Sequence, residues 1–273
     1  MVGGKGRLVV GGMRKAVSLV VGYVRHNVMA AMEYRAAFLL QALGMLLNNL
    51  MFLFFWWVLY TRLPAIRGWT LPMVSTIFAL VALSFGLATL VCGNCMRIAS
   101  IVVTGDLDYY LALPADPLLH VLVSRMSLSS WGEVVTGLGV FLFLVPGSLP
   151  KLPFFVLYAV LGALIFCGFA VIVGSLAFYV DQVQDVSGTL YNAFISFSLY
   201  PIDVFPRVVR FLLYTLVPSA MVGALPARLL YEFRWPWFLG LVGFTALILV
   251  FARGLFNLGL RRYESGNRVT VRG

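Results

Sequence analysis

Five long apolar stretches, with charged residues collected between them, constrain this chain of 273 residues more than any other feature. The stretches run over Ala36–Tyr60, Thr70–Met96, Met126–Val145, Phe154–Val180 and Trp237–Leu260. Each reaches the roughly 20 residues that an α-helix, rising about 1.5 Å per residue, needs to cross a hydrocarbon core about 30 Å thick. With 62% hydrophobic and 11% charged residues, the chain could not hide this surface in a water-soluble core. The pattern predicts an all-α polytopic membrane protein.

A sixth apolar region, Val186–Leu230, is interrupted by prolines and charges. Its first part can span if it extends to about Val204, whereas Arg207–Val217 and Ser219–Leu230 are only about a dozen residues each, a length typical of re-entrant or interfacial segments. We therefore expect six transmembrane helices and an outer re-entrant helical hairpin over about 205–230. The residues that mark this outer region are Tyr200, Pro201, Asp203, Pro206, Pro218, Pro226 and Arg228.

The distribution of Lys and Arg orients these spans. With six spans and both termini cytoplasmic, 13 of the 20 basic residues fall on the inside, as the positive-inside rule favours. A seven-span topology would place the basic tail, 261–273, outside. The net charge of +10 is explained by basic residues beside anionic membrane lipids, so we expect no nucleic-acid partner.

Residues 1–35 precede the transmembrane domain, 36–260, and are expected to be cytoplasmic. Arg14 and Lys15 before the apolar run Ala16–Val24 resemble a secretory signal, but Arg25 interrupts the approach to a cleavage site. Valines recur at helical spacing with polar residues between them. This pattern predicts an amphipathic helix in the membrane interface, with Glu33, Tyr34 and Arg35 at its end.

The sequence contains no recognisable catalytic or metal-binding motif. It has no G-x-x-x-x-G-K-[ST] stretch, and the histidines at 26 and 120 lack metal-ligand spacing. Cys92 and Cys95 form a C-x-x-C, which is more often two small buried residues than a redox or metal site, while Cys167 stands alone in another span. We expect no catalytic residue, no metal site and no cofactor bound by this chain.

Two ionisable residues lie inside apolar stretches. Glu133 falls near the middle of the third stretch, with Arg125 eight residues earlier on a similar helical face. A carboxylate at that depth costs about 2.5–3.5 kcal/mol, so it needs a partner or a watery cavity. Glu133 and Arg125 are candidates for the translocation path or its gate. A structural hydrogen bond to another helix, or a shifted register that places Glu133 shallower, is an equal alternative. Arg253 in the last stretch is expected to snorkel to the cytoplasmic surface.

The segment between the second and third stretches, Arg97–Arg125, is too apolar for a tether. Its Leu107 and Leu111, four residues apart beside two acids and two tyrosines, predict a short amphipathic helix over about 105–113 that is stopped by Pro114. Such a cytoplasmic helix indicates a protein partner.

At these residues the chain resembles the permease subunits of type-2 ATP-binding cassette exporters, in a branch known only as uncharacterised permeases. Three ordered groups of residues carry the resemblance. A pattern G-x-L-D-x-x-L-x-x-P-x-x-P-L matches Gly105, Leu107, Asp108, Leu111, Pro114, Pro117 and Leu118, an E-Y-R-x-x-F matches Glu33, Tyr34, Arg35 and Phe38, and a late Y-P-[IL]-D-x-[FY]-P with P-A-R-x-L matches 200–206 and 226–230.

The resemblance implies a six-span subunit with an interface helix, a coupling helix after span two and outer re-entrant helices. A separate ATPase, which binds ATP and Mg²⁺, would dock on the coupling helix, and a second permease, identical or homologous, would complete the path in the cell membrane. The residues implied in ATPase contact are Gly105, Asp106, Leu107, Asp108, Tyr109 and Leu111.

Two other classes of function stay open from the residues alone. An intramembrane enzyme would need several catalytic groups at one depth, and Glu133 by itself does not supply them. A channel or secondary transporter would show inverted repeats with helices broken at matching places, whereas only the region 186–230 is broken. Neither the transported substrate nor a binding pocket can be derived from the apolar runs.

Overall fold

The computed structural model describes residues 21–23, 25, 29, 35–114, 116–127, 130–180 and 183–263. Within these residues the regular elements are helical, apart from one isolated bridge between Ile66 and Trp69. Residues 21–23, 25 and 29 are helical, as the predicted interface helix requires at those positions. Glu33, Tyr34 and the tail from 264 onward lie outside the described residues.

The long apolar stretches form helices close to their predicted places. In chain order the described α-helices are α1 (Arg35–Arg62), α2 (Leu71–Val91), α3 (Ile98–Thr104), α4 (Leu107–Leu111), α5 (Pro117–Val123), α6 (Ser130–Leu144), α7 (Ser148–Ser175), α8 (Val183–Ser198), α9 (Arg207–Thr215), α10 (Ala224–Tyr231) and α11 (Trp235–Leu260). Short 3₁₀ turns at Cys95–Arg97, Leu176–Phe178, Ile202–Val204 and Ser219–Met221 connect some of them.

The second stretch is shorter than predicted. Helix α2 begins after Thr70, whose backbone is extended, with a proline in its first turn, and it ends at Val91 rather than at Met96. The chain then turns through Cys95–Arg97 into α3. The prediction ran too far because it passed over Gly93 and Asn94, residues that favour a turn.

Helix α2 lies at the centre of the bundle and packs against α6 and α7, while α11 packs on the other side of α7. The contact with α6 brings the two backbones close together at Gly137, where an added Cβ would lie 2.7 Å from the backbone nitrogen of Leu83. Helix α1 packs chiefly against α6 and exposes a broad apolar face. The interior is therefore built from α2, α6 and α7.

Four helices, α1, α2, α7 and α11, are long and apolar enough to cross a membrane. Helices α6 and α8 occupy the predicted third and fifth spans but contain 15 and 16 residues. The pair α9 and 219–231 is bent by 72° and would count as a fifth crossing only if it were one broken span. The all-α polytopic class is confirmed, and the count of six spans stays a prediction.

The chain direction defines two ends of the bundle. We call the end that contains 62–71 and 200–235 the hairpin end, and the end that contains 92–125, 176–185 and 256–263 the coupling end. At the hairpin end Trp69 Nε1 donates to Asp203 at 2.9 Å. At the coupling end the Tyr263 hydroxyl donates to the carbonyl of Gly105 at 3.3 Å.

Candidate functional site

The predicted coupling helix is a single helical turn. Gly105 ends α3 with φ of 83°, a left-handed conformation that favours glycine, and α4 runs only from Leu107 to Leu111. The predicted extent to 113 is too long, because the chain leaves the helix before Pro114. Leu107 is buried whereas Leu111 is exposed, so the two leucines do not form one buried face.

Three side chains in and beside this turn, Asp106, Tyr109 and Leu111, are exposed, and we call them the outward surface. Tyr109 is 65% exposed. The Thr104 hydroxyl donates to the Asp106 carboxylate at 2.8 Å. An exposed aromatic ring, an exposed leucine and an exposed acid on one short segment are chemically suited to contact another protein.

Contacts with α11 hold this surface in place. Asp116 caps α5, since its Oδ1 accepts from the backbone nitrogen of Leu119 at 3.0 Å, and its Oδ2 accepts from Arg253 at 2.6 Å. Arg253, which was expected to snorkel to the cytoplasmic surface, forms this ion pair at the coupling end. Near the end of α11, burial and the neighbouring Asp108 raise the pKa of Tyr263 to about 12. The coupling segment is therefore attached to the last long helix at two places.

Beneath the outward surface lies a buried polar cluster around His120 of α5. The Tyr23 hydroxyl lies 2.5 Å from His120 Nε2, and the rings of Tyr110 and His120 meet edge to face with centroids 5.5 Å apart. The Tyr110 hydroxyl lies 3.1 Å from Ser124 Oγ, which also accepts from Asn94 Nδ2 at 2.6 Å. We call Tyr23, Asn94, Tyr110, His120 and Ser124 the imidazole cluster.

Glu133 and Arg125 do not lie where the sequence pattern placed them. Residues 124–127 form a non-helical connection, and Arg125 is exposed in it rather than on the helix that carries Glu133. Glu133 lies in the first turn of α6 instead of mid-span. Residues 124–127 do not continue a helix, because the backbone nitrogen of Ser127 bonds to the carbonyl of Thr89 at 3.1 Å.

Glu133 is nevertheless buried. Its Oε2 accepts from Asn49 Nδ2 of α1 at 3.1 Å, and the same amide lies 3.4 Å from Thr136 Oγ1. Among the described residues it has no cationic partner within ion-pair distance. This geometry matches the alternative to a gating role, in which Glu133 bonds to another helix and lies nearer the end of its own helix.

The hairpin end is organised around one carboxylate. Asp203 Oδ1 lies 3.1 Å from Arg210, and its Oδ2 accepts from both Arg228 and the indole of Trp69. The guanidinium of Arg228 also lies over the Trp69 ring, 5.1 Å from its centroid. Arg67 donates to the backbone carbonyl of Asp203 at 3.1 Å. We call these five residues the Asp203 cluster.

The prolines predicted to shape the hairpin fall at its breaks. Pro206 precedes α9, Pro218 precedes the 3₁₀ turn before α10, and Pro226 is buried within α10. Pro201 precedes the turn that carries Asp203, and the Tyr200 ring packs near Trp56 of α1, with centroids 5.9 Å apart. The described hairpin thus has the predicted two-piece form, while its re-entrant placement stays a prediction.

The three cysteines are close together, which the sequence did not indicate. The Cys167 thiol lies within hydrogen-bonding reach of those of Cys92 and Cys95. All three are free thiols. Within the described part of the chain no group of three or more His, Cys, Asp or Glu side chains could hold a metal ion.

Sequence reasoning missed several of these residues. Asp116 followed by Pro117 is a helix N-cap signal that could have been recognised. His120 was considered only as a metal ligand, and no sequence signal links it to Tyr23, 97 residues away. Asn49 and Trp69 are single polar or aromatic residues whose partners are set by the tertiary fold.

The apolar helix lengths and the interior built from α2, α6 and α7 define a multi-pass α-helical membrane protein. The model of the ABC-2 family transporter proteins matches residues 46–267, which is most of the chain. The chain belongs to the ABC-2 transporter family, whose members are membrane permeases of ATP-binding cassette transporters and work with an ABC ATPase subunit. A comparison with curated proteins finds no match.

Proposed function

We propose that this permease is half of an exporter and that an ABC ATPase docks on the coupling end. The observation that carries the proposal is that Asp106, Tyr109 and Leu111, in and beside the short helix α4, are all exposed. Exposed aromatic and apolar side chains of this kind are enriched at protein interfaces. ATP and Mg²⁺ would be bound by the ATPase and none by this chain.

The attachments of the coupling segment would transmit movements of the docked ATPase to the membrane domain. Arg253 and Tyr263 join 105–116 to α11, which packs along α7. A displacement of the docking surface would therefore move α11 with it. We propose that this attachment, rather than the surface alone, couples ATP hydrolysis to transport.

We further propose the remaining parts of the assembly. Both termini face the cytoplasm, and α9 with α10 forms a re-entrant roof over the outer end of the path. Helix α9 exposes Val208, Phe211 and Leu212, as a helix lying at the membrane interface would. A second permease completes the path in the cell membrane, with lipid around both.

The docking surface is tested by reversing one charge on it. Asp106→Lys with Tyr109→Ala changes two exposed side chains, removes an acceptor for charge-assisted hydrogen bonds and takes away the exposed ring. Asp108 is left unchanged because it interacts with Tyr263. We expect the double variant to lose copurified ATPase, or to keep it with ATP hydrolysis uncoupled from transport.

Asp185→Lys is the matched control. Asp185 is also exposed at the coupling end, in the first turn of α8, and the substitution makes the same charge change outside the proposed surface. It should leave both copurification and hydrolysis unchanged. If the double variant behaves like this control, the segment 105–113 is not the docking site.

A further inference from the structure

The imidazole cluster joins three parts of the chain that the proposed function requires to move together. Tyr23 comes from the N-terminal segment, Tyr110 from the docking turn α4, and His120 from α5. Only 4% of His120 is exposed. The imidazole therefore lies where the N-terminal segment and the docking turn meet.

The hydrogen bonding of His120 favours a neutral ring. Its Nε2 is engaged by the Tyr23 hydroxyl, while Nδ1 is buried and has no hydrogen-bond partner among the described residues. A neutral imidazole can leave Nδ1 as a bare acceptor, whereas an imidazolium must place a charged N–H there. Burying such a donor without an acceptor costs more than burying a bare lone pair.

Among the described residues, no neighbouring acid offsets that cost. Asp116, which caps α5, already accepts from Leu119 and Arg253. Asp108 is engaged with Tyr263, and Asp106 accepts from Thr104. The other titratable groups that the structure describes around the ring are Tyr23, Tyr109 and Tyr110, which carry no charge at neutral pH.

Asn94 adds a second unsatisfied atom to the same cluster. Its Nδ2 donates to Ser124, but its Oδ1 is buried without a partner in the described part of the chain. Buried polar atoms without partners are uncommon and are satisfied when water enters.

We propose that His120 is a positioning residue that holds the docking turn against the N-terminal segment only as a neutral imidazole, and that its protonation releases the turn and weakens ATPase coupling. The second half of this inference rests on the proposed docking of an ATPase at α4. The first half concerns this chain alone.

The direction of the pH dependence follows from the burial of the ring. Burial lowers the pKa of His120 from its ordinary value of 6.5. Above that value the imidazole is neutral in both the closed and the open cluster. As the pH falls below 6.5, His120 binds a proton first in the open cluster. The closed cluster therefore loses stability relative to the open one until the pH has fallen below the lowered pKa of His120 in the closed cluster.

The first test uses the purified chain without any ATPase. Hydrogen exchange of the amides in 107–123 is compared between wild type and His120→Gln at each pH, so the intrinsic pH dependence of exchange cancels. Glutamine can still bond to the Tyr23 hydroxyl but does not titrate in this range. We expect wild type alone to lose protection below about pH 6.5. Equal protection in both proteins at every pH overturns the proposal.

Two further variants keep this test decisive. His26→Gln removes the other histidine of the chain and should leave the acid transition in place. Tyr23→Phe removes the hydroxyl partner without touching the ring, so its transition should shift to higher pH. The proposal is also overturned if the acid transition is lost in His26→Gln, or if it is unchanged in Tyr23→Phe.

The second test uses the intact complex. We expect the retained ATPase to fall by threefold or more per pH unit below about pH 6, since each unit changes the ratio of protonated to neutral imidazole about tenfold. For His120→Gln, the amount of ATPase retained at low pH divided by the amount retained at neutral pH should stay near one, whatever amount is retained at neutral pH. A wild-type ratio equal to that of His120→Gln overturns the effect on coupling.

The two tests separate the two proposals. If no ATPase copurifies with any version at neutral pH, the proposed function fails, and the exchange experiment still decides whether His120 holds the turn. If ATPase binds normally and the exchange of wild type and His120→Gln is identical, the role of His120 fails and the docking surface stands.

Discussion

The two ends of the bundle are held together by different chemistry. At the hairpin end, Asp203 shares its two oxygens between the cations Arg210 and Arg228 and the indole of Trp69. At the coupling end, the buried contacts around His120 are between neutral groups, Tyr23, His120 and Tyr110, and the ion pair between Arg253 and Asp116 is substantially exposed.

This difference has a mechanical meaning. An ion cluster that is partly removed from water is costly to take apart, because each charge that loses its partner stays poorly solvated. Neutral hydrogen bonds and ring contacts contribute about 0.5–1.5 kcal/mol each and can exchange with water. The hairpin end is therefore built to stay closed, and the coupling end is built to open and close.

The largest effect is expected from removing the carboxylate at the hairpin end. Asp203→Ala leaves Arg210 and Arg228 facing each other and takes an acceptor from Trp69. We expect a loss of about 2–3 kcal/mol in the free energy of unfolding, below the 3–5 kcal/mol of a fully buried pair because these arginines are about one-third exposed. Thermal unfolding in detergent measures it.

Glu232→Ala supplies the matched control for Asp203. Its pair with Arg234 lies at the same end but is exposed on both sides, so its removal should cost less than about 1 kcal/mol. If the two variants lose the same stability, the Asp203 cluster does not hold the hairpin end and the contrast between the ends disappears.

A smaller effect is expected at Glu133, which lies one helical turn into the coupling half. If that half depends on neutral hydrogen bonds, position 133 needs an acceptor for Asn49 rather than a charge. We expect Glu133→Gln to keep the attachment of α1 to α6, and Glu133→Leu to insert more readily but to loosen α1 by about 0.6–1.7 kcal/mol. Thermal unfolding and ATP hydrolysis by the complex measure these outcomes.

The glutamine variant separates the two interpretations of Glu133. Reduced hydrolysis with Leu but not with Gln supports a structural hydrogen bond. An equal reduction in both, with unchanged unfolding, would contradict it and would assign Glu133 to the translocation path.

The smallest effect on stability is expected from the exposed ion pair of the coupling end. Arg253→Leu should cost about 0.5 kcal/mol, because pairs exposed to this degree contribute little. It should nevertheless reduce ATP hydrolysis by the complex, since it detaches α5 from α11. Arg253→Lys, which keeps the charge, is the control, and a stability loss as large as that of Asp203→Ala would contradict the contrast.

The sequence predicted the helices of this chain better than their ends. Apolar length alone placed α1, α2, α7 and α11, because a spanning helix needs a long uninterrupted run. It did not place the end of α2, since the predicted stretch was carried past Gly93 and Asn94, residues that favour turns. Prolines and charges placed the two pieces of the hairpin, α9 and α10.

The site was less predictable than the helices. The segment 105–113 was found from its motif, but the contacts of Gly105 with Tyr263 and of the nearby Asp116 with Arg253 join residues more than a hundred positions apart. Helical periodicity was extended across 124–127, where a backbone bond to Thr89 ends it, and this placed Arg125 on the wrong element. Pairings of single polar residues depend on how helices pack, and periodicity does not contain that information.

The unequal lengths of two neighbouring helices have a consequence for the surrounding bilayer. With 15 residues, α6 is about 22 Å long, whereas α7 with 28 residues is about 42 Å long. Helix α6 still presents Val135 and Phe143 outward. If α6 is the predicted third span, a bilayer about 30 Å thick would have to thin beside it while α7 tilts, at a cost of fractions of a kcal/mol per Å of mismatch. Lipid chain length should therefore shift the balance between the conformations of this permease, with shorter chains favouring those that leave α6 at the protein surface.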